Sequence, residues 1–163
     1  MAVFSFTRVQ KIPGEPDKVW SFFADPAKLP LITPPYMQFR VLSAAARSHI
    51  YPGQLIEYKL RPLPWFQVYW MTEITHVHGG HFTHDNEAPY FVDEQRRGPY
   101  RLWHHQHHFK SISDGVEMTD IVHYEIPFGL IGKWANTLFV GRELDGLFRY
   151  RQEQIERIFG VLA

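Results

Sequence analysis

Four of the ten histidines crowd into one hexapeptide, Trp103-His104-His105-Gln106-His107-His108. In an extended strand, residues i and i+2 share a face about 6.7 Å apart. His105 and His107 then look one way, and His104 and His108 look the other. Two imidazoles at that spacing could close on one zinc ion, with Asp120 or an acidic residue of the neighbouring strand as third ligand. His107 and Asp120 could instead form an acid–base pair, the carboxylate orienting the ring and raising its pKa. The plainer alternative is a buried polar network that orients a ligand. That alternative is preferred, because the spacing matches no familiar metal motif and the chain has no cysteine. No metal or other cofactor is therefore expected.

Other chemistries are excluded more simply. Without cysteine there is no thiol nucleophile, no Cys-ligated metal site and no disulfide scaffold. No Gly-x-Ser-x-Gly elbow occurs, so any enzyme here would work by proton transfer, dehydration or ring closure rather than covalent catalysis. Gly129, Gly132, Gly141 and Gly146 lack the Lys-Ser/Thr ending of a phosphate loop. Whether the protein is an enzyme stays open at this level.

These side chains need a sheet to hold them, and the period of the sequence supplies one. Residues Val3 to Ile12 alternate as a strand. Pro16 opens a helix with Val19, Trp20, Phe22 and Phe23 on its apolar face. Asp25-Pro26 stops it and caps a second short helix through Leu29, which Thr33-Pro34-Pro35 ends. From Met37 the period becomes two. The predicted strands are Gln38–Ala44, Gln54–Leu60, Trp65–Val77, Tyr90–Arg96, Tyr100–Ile112 and Val116–Pro127, separated by turn residues. Gly79 to Pro89 is the longest connection and reads as a loop. From Gly129 to the end the period is helical, with Leu144, Phe148, Ile155, Phe159 and Leu162 on one face and a bend expected near Gly141. Arg149–Glu153 and Glu153–Arg157 are expected i,i+4 pairs on the other face. The fold class is α+β, a helix-grip: a curved antiparallel sheet of six to seven strands around a long C-terminal helix, with two short helices after strand 1. Residues 1–163 are expected to form a single domain of this kind.

A two-residue Asp114-Gly115 turn pairs positions that sum to 229. Trp103, His105, His107, Phe109, Asp120 and Tyr124 then share the concave face, and His104, Gln106 and Lys110 the outer one. One strand earlier the register has two solutions. A two-residue Gly98-Pro99 turn turns Val92 and Glu94 inward; one more loop residue turns Phe91, Asp93 and Gln95 inward, and that solution is preferred. Tyr58, with Ile56 and Leu60, and Trp70, with Phe66 and Val68, also face in. Trp134 and Leu138 of the helical segment are expected to look into the same space.

The composition suits such a space. Aromatic residues make up 16% of the 163, and seventeen Lys plus Arg balance seventeen Asp plus Glu. Zero net charge argues against nucleic acid as a partner and against a polybasic membrane anchor. No run of eighteen apolar residues occurs, so no stable membrane insertion is expected. Arg8 and Lys11 interrupt the stretch where a signal peptide would be apolar, which leads to a cytoplasmic expectation. Tyr69 and Trp65 on the outer face are compatible with a monomer or a homodimer.

The chain resembles the START and Bet v 1-like superfamily, SRPBCC. The resemblance rests on Phe22-Phe23-Ala24-Asp25-Pro26 with Leu29 and Ile32-Thr33-Pro34-Pro35, and on Phe91-Val92-Asp93-Glu94-Gln95 with Gly98-Pro99-Tyr100. Trp103-His104-His105 with His107 and Phe109, Asp120-Ile121-Val122 with Tyr124, Pro127-Phe128-Gly129 and Arg149-Tyr150-Arg151 extend it over the whole chain. These motifs are similar to a bacterial subgroup described as ligand-binding, some of whose members are labelled cell-division inhibitor. The resemblance implies an internal cavity for a lipid, sterol, polyketide or other small hydrophobic ligand, with aromatase or cyclase activity in some members. It carries no catalytic residue over to this chain. The Gly79–Pro89 segment departs from the pattern, and its His81 and His84 inherit no role.

Overall fold

The computed structural model describes residues 2–43, 49–63, 65–79, 88–127 and 140–162. Strand β1, Phe4–Pro13, leads to helix α1, Pro16–Phe23, which has proline in its first turn and buries Val19 and Trp20. A 3-10 helix follows over Pro26–Ile32, capped by the Asp25 carboxylate, which accepts from the Ala27 amide at 2.9 Å. A single 3-10 turn, Pro35–Met37, precedes β2. The remaining elements are β2 (Arg40–Val41), β3 (Gln54–Leu63), β4 (Phe66–His78), β5 (Tyr90–Arg97), β6 (Leu102–Ile112), β7 (Gly115–Glu125) and α2 (Gly141–Phe159).

The strands form one seven-stranded antiparallel sheet in the order β1-β7-β6-β5-β4-β3-β2. From β2 to β7 each strand pairs with its neighbour in sequence, and β1 closes the order against β7. Register irregularities between Leu60 and Leu63, Met71 and Thr72, and Ile74 and His76 bend the sheet where β3, β4 and β5 meet. The first also lets β3 run on through Pro62, three residues beyond the predicted end, because an irregular position needs no ladder donor.

One further boundary and one ion pair differ from expectation. The strand predicted over Gln38–Ala44 is ordered only at Arg40–Val41, because Gln38 adopts a left-handed conformation at φ 45° and cannot join a ladder; Ala44 lies outside the described residues. The C-terminal helix is described from Gly141, and the segment 128–139, with Trp134 and Leu138, lies outside the described residues. Arg149 pairs with Asp145 at 2.6 Å rather than with Glu153, because Asp145 also draws Arg8 of β1 at 3.2 Å and so ties the helix to the sheet edge.

The β6–β7 hairpin carries the most instructive correction. Its pairs sum to 227, with Ser113-Asp114 as the turn and Ile112 opposite Gly115. Gly115 belongs to the strand because β1 passes directly over it. A Cβ there would lie 2.0 Å from the Ile12 carbonyl oxygen. The shift is two positions, so every side chain keeps its predicted face while every partner changes. Gly115→Ala is expected to lower stability by about 1–3 kcal/mol through this overpacking, seen as a reduced midpoint of thermal unfolding.

Two apolar clusters fill the concave side. One gathers Ile12, Trp20, Phe109, Val116, Met118 and Ile155 near α1. The other gathers Trp103, Val122, Tyr124, Leu144 and Phe148 near the start of α2. Along β6 the residues between them are His105 and His107, and along β7 the residue between them is Asp120. A polar layer therefore divides the interior.

Candidate functional site

Strands β5, β6 and β7 run side by side, and their registers set three positions level. Phe91 faces His107, Asp93 faces His105, and His107 faces Asp120. Side chains on one face of adjacent strands lie close enough to bond, and four of them do. The Asp120 carboxylate accepts from His105 Nε2 at 2.9 Å, and Asp93 Oδ2 lies 2.9 Å from His107 Nε2. His105 Nδ1 stands 3.4 Å from Asp93 Oδ2. His107 Nδ1 lies 2.9 Å from Asp120 Oδ1, a hydrogen-bond length, but the direction is poor and this contact is ionic rather than a formed hydrogen bond.

His105, His107 and Asp120 are all buried. The rings of His105 and His107 are 3.8 Å apart, and Phe91 stacks on His107 at 4.0 Å and 19°. From α2, Arg151 reaches the same place: it sits over the Phe148 ring at 5.0 Å and its charge acts on both carboxylates. Its Nε has no hydrogen-bond partner.

The environment separates the two histidines. Burial lowers the His105 pKa, and the neighbouring His107 adds to that, against the pull of Asp93 and Asp120. For His107 burial also disfavours charge, but Asp120 and Asp93 outweigh it and raise the pKa. Burial would raise both carboxylates; the two histidines, with Arg151 beside Asp93, hold Asp93 and Asp120 below the ordinary range, Asp120 far below it. The two carboxylates thus favour charge on His107, while at His105 burial outweighs them. An ionised carboxylate only accepts, so His105 Nε2 is the donor to Asp120, and its Nδ1 faces Asp93.

Above this layer lies a cavity of about 350 Å³ between the sheet and α2. Trp70, Trp103 and Tyr100 form one aromatic wall, with Trp70 and Trp103 in edge contact at 5.2 Å. Tyr58 and Thr72 add polar atoms, and the Trp70 indole donates to Thr72 Oγ1 at 3.1 Å. Burial and the nearby Asp93 charge push the Tyr58 phenol up, so it stays protonated. The short helices close another side with Phe23, Leu29 and Ile32.

No family model matches the sequence, and no curated protein matches it. Solved structures do. Protein Ms6760 from Mycobacterium smegmatis superposes with a TM-score of 0.64 at 15% identity, over 98% of this chain and 92% of that one. Major latex-like protein 151 from Panax ginseng gives 0.63 at 12% identity, over 96% and 97%. A point mutant of norcoclaurine synthase from a Thalictrum species, in complex with a transition-state analogue, gives 0.63 at 11% identity, over 96% of each chain. The chain shares the helix-grip fold of these structures.

Within this helix-grip, Tyr58, Trp70, Phe91, Asp93, Trp103, His105 and His107 line the cavity. Four other candidates stand behind its wall. Phe109 is wholly buried against Trp20 and Phe23, because β6 passes under α1 there. Tyr124 packs between Phe4 and Tyr100. Asp120 touches the far side of both imidazoles. Gln95 turns aside to close the β5–β6 connection: its Nε2 donates to the Tyr100 carbonyl at 2.6 Å, and its Oε1 accepts from the Tyr100 amide at 3.2 Å. Gly98 permits this, since a Cβ would lie 2.2 Å from the Gln95 oxygen. The sequence reading missed Arg151 as a site residue. The signal was present: Arg151 stands seven after Leu144 and four before Ile155, a charged residue on the buried stripe of the helix.

Asp93, His105 and His107 each offer one ligand atom, all within 4.8 Å of one another. The same groups can hold or move a proton at the cavity wall.

Proposed function

We propose that this protein binds a small hydrophobic or amphipathic molecule, a lipid, polyketide or similar compound, in the cavity between the sheet and the C-terminal helix. One observation carries the reading: a cavity of about 350 Å³, lined mostly by aromatic and aliphatic side chains, brings Asp93, His105, His107 and Arg151 together at one wall. That is the usual build of small-molecule sites, where apolar walls supply affinity and a few fixed polar groups orient the ligand. The likeness to norcoclaurine synthase, a structure that carries a bound analogue, supports it. No described helix is long and apolar enough to cross a membrane. With the balanced charge, this supports a cytoplasmic single-domain protein, monomer or homodimer, with no nucleic-acid partner.

The test is native mass spectrometry of the protein as purified, together with titration by the amphipathic fluorophore anilinonaphthalene sulfonate. Saturable binding with displacement by fatty acids or aromatic polyketides is expected. Val68→Trp, which fills the cavity from β4, is expected to weaken fluorophore binding at least about tenfold, or about 1.4 kcal/mol, while leaving the fold intact. Unchanged binding in that variant would move the site elsewhere.

A second reading, an acid–base enzyme of cyclase, dehydratase or isomerase type, is favoured by one observation. His105 and His107 present ring nitrogens to the cavity while Asp120 holds both rings from behind. On this reading His107→Asn abolishes turnover of a bound polyketide and leaves its affinity unchanged; loss of affinity alone would argue for binding.

A further inference from the structure

Each imidazole of the polar layer has two ring nitrogens, and the fold sorts them into two sets. His105 Nε2 and His107 Nδ1 both lie 2.9 Å from one oxygen, Asp120 Oδ1. The opposite nitrogens, His105 Nδ1 and His107 Nε2, stand 3.4 and 2.9 Å from one oxygen of Asp93. The inner set is closed off, since Asp120 lies behind the wall. The outer set, with Asp93, opens on the cavity. Both rings thus turn their second nitrogen to one carboxylate oxygen on the cavity side.

We propose that Asp93 Oδ2, His105 Nδ1 and His107 Nε2 bind one divalent transition-metal ion of the zinc class, with its open coordination position toward the cavity. The two Asp93–imidazole pairs, 3.4 and 2.9 Å apart, would subtend roughly 90–110° at an ion about 2.1 Å from each atom, the angles of a tetrahedral or facial site. The three donors lie within 4.8 Å of one another, so they converge on one ion by small side-chain rotations. Two of three donors are imidazole nitrogen, which selects a transition ion over magnesium or calcium. Asp120 is the outer carboxylate that such sites use to fix ring orientation and tautomer, here for both histidines at once. Phe91 stacked on His107 holds the second ring flat against the strand. With neutral imidazoles, the ion and Arg151 exceed the two carboxylates by one positive charge, so the open position suits an anionic oxygen ligand. The metal site itself does not depend on the cavity's organic ligand.

The decisive experiment titrates chelator-treated, metal-free protein with cobalt(II) and reads its visible d–d absorption. A band that saturates at one equivalent and is displaced by zinc is expected. Asp93→Ala and His107→Gln are expected to lose the band, with circular dichroism checking that each is folded. Asp120→Asn keeps the three donors, so it should keep the band but bind about 10–100-fold more weakly. Should His107→Gln not fold, His105→Gln takes its place. The proposal is overturned if folded wild-type protein shows no saturable band, or if Asp93→Ala keeps it. It is equally overturned if the band disappears on replacing His104 and His108, which lie on the outer face, level with Glu94 and Tyr90 of β5.

Discussion

Replacing Asp120 by alanine is expected to destabilise the protein by about 3–5 kcal/mol, the range seen when one partner of a buried ion pair is removed. The carboxylate is buried, meets both histidines at 2.9 Å and balances charge on His107 and Arg151. Its loss leaves both rings and Arg151 facing Asp93 alone and vacates volume between the two apolar clusters. Asp120→Asn keeps the volume and one acceptor, so its loss should be smaller. Urea unfolding at neutral pH measures both, read as a change of midpoint at constant slope.

The pH dependence of the metal-free protein has a definite sign. Asp93 and Asp120 have depressed folded pKa values. Their contribution is complete above the unfolded value of about 4 and is lost as pH falls through the folded values. The lowered His105 acts in the same direction, contributing above about pH 6.5 and losing that contribution as pH falls. His107, raised, runs the opposite way: its contribution is complete below about pH 6.5 and fades as pH rises through the folded value. Three groups against one make acid the destabilising direction, and Asp120→Ala should flatten the acid limb of a stability-against-pH curve.

Phe109→Ala is expected to cost a similar 3–5 kcal/mol or so, for a different reason. The ring is fully buried and makes edge contact with Trp20 at 5.2 Å, with Phe23 at 5.5 Å and Phe91 at 6.1 Å close by. Removing it opens a hole where α1 grips the sheet, and neighbours held by α1 and β5 cannot collapse into it. The same urea measurement checks this. A loss below about 1 kcal/mol would put Phe109 at a yielding cavity wall instead of in the core.

Phe109 also shows how far the sequence reading reached. Its inward face was legible, because alternation on β6 requires only a period of two. Its depth was not, because α1 comes from ninety residues earlier and covers only that end of the strand. Arg151 makes the same point from the other direction. Its place on the helical stripe could be read, but what met it there depended on which strands the helix crossed.

The pairing of β1 with β7 joins distant segments and was decided in space, but the antiparallel hairpins and the assignment of side chains to faces were written locally, in alternation and in turn residues. These are short-range properties, set by backbone sterics and by which neighbours a two- or three-residue connection can join. Even the misplaced β6–β7 turn kept every face, since its error was two residues. The pairing of His107 with Asp120 was legible only as a chemical possibility. That Asp93 meets the same two rings, and that their nitrogens divide between two carboxylates, was decided by tertiary structure. The Ile12 carbonyl over Gly115 set one register, and the three-residue turn under Gln95 set the other. Both are contacts between segments far apart or folded back in space, and an error of two residues in either would have left the polar layer unformed.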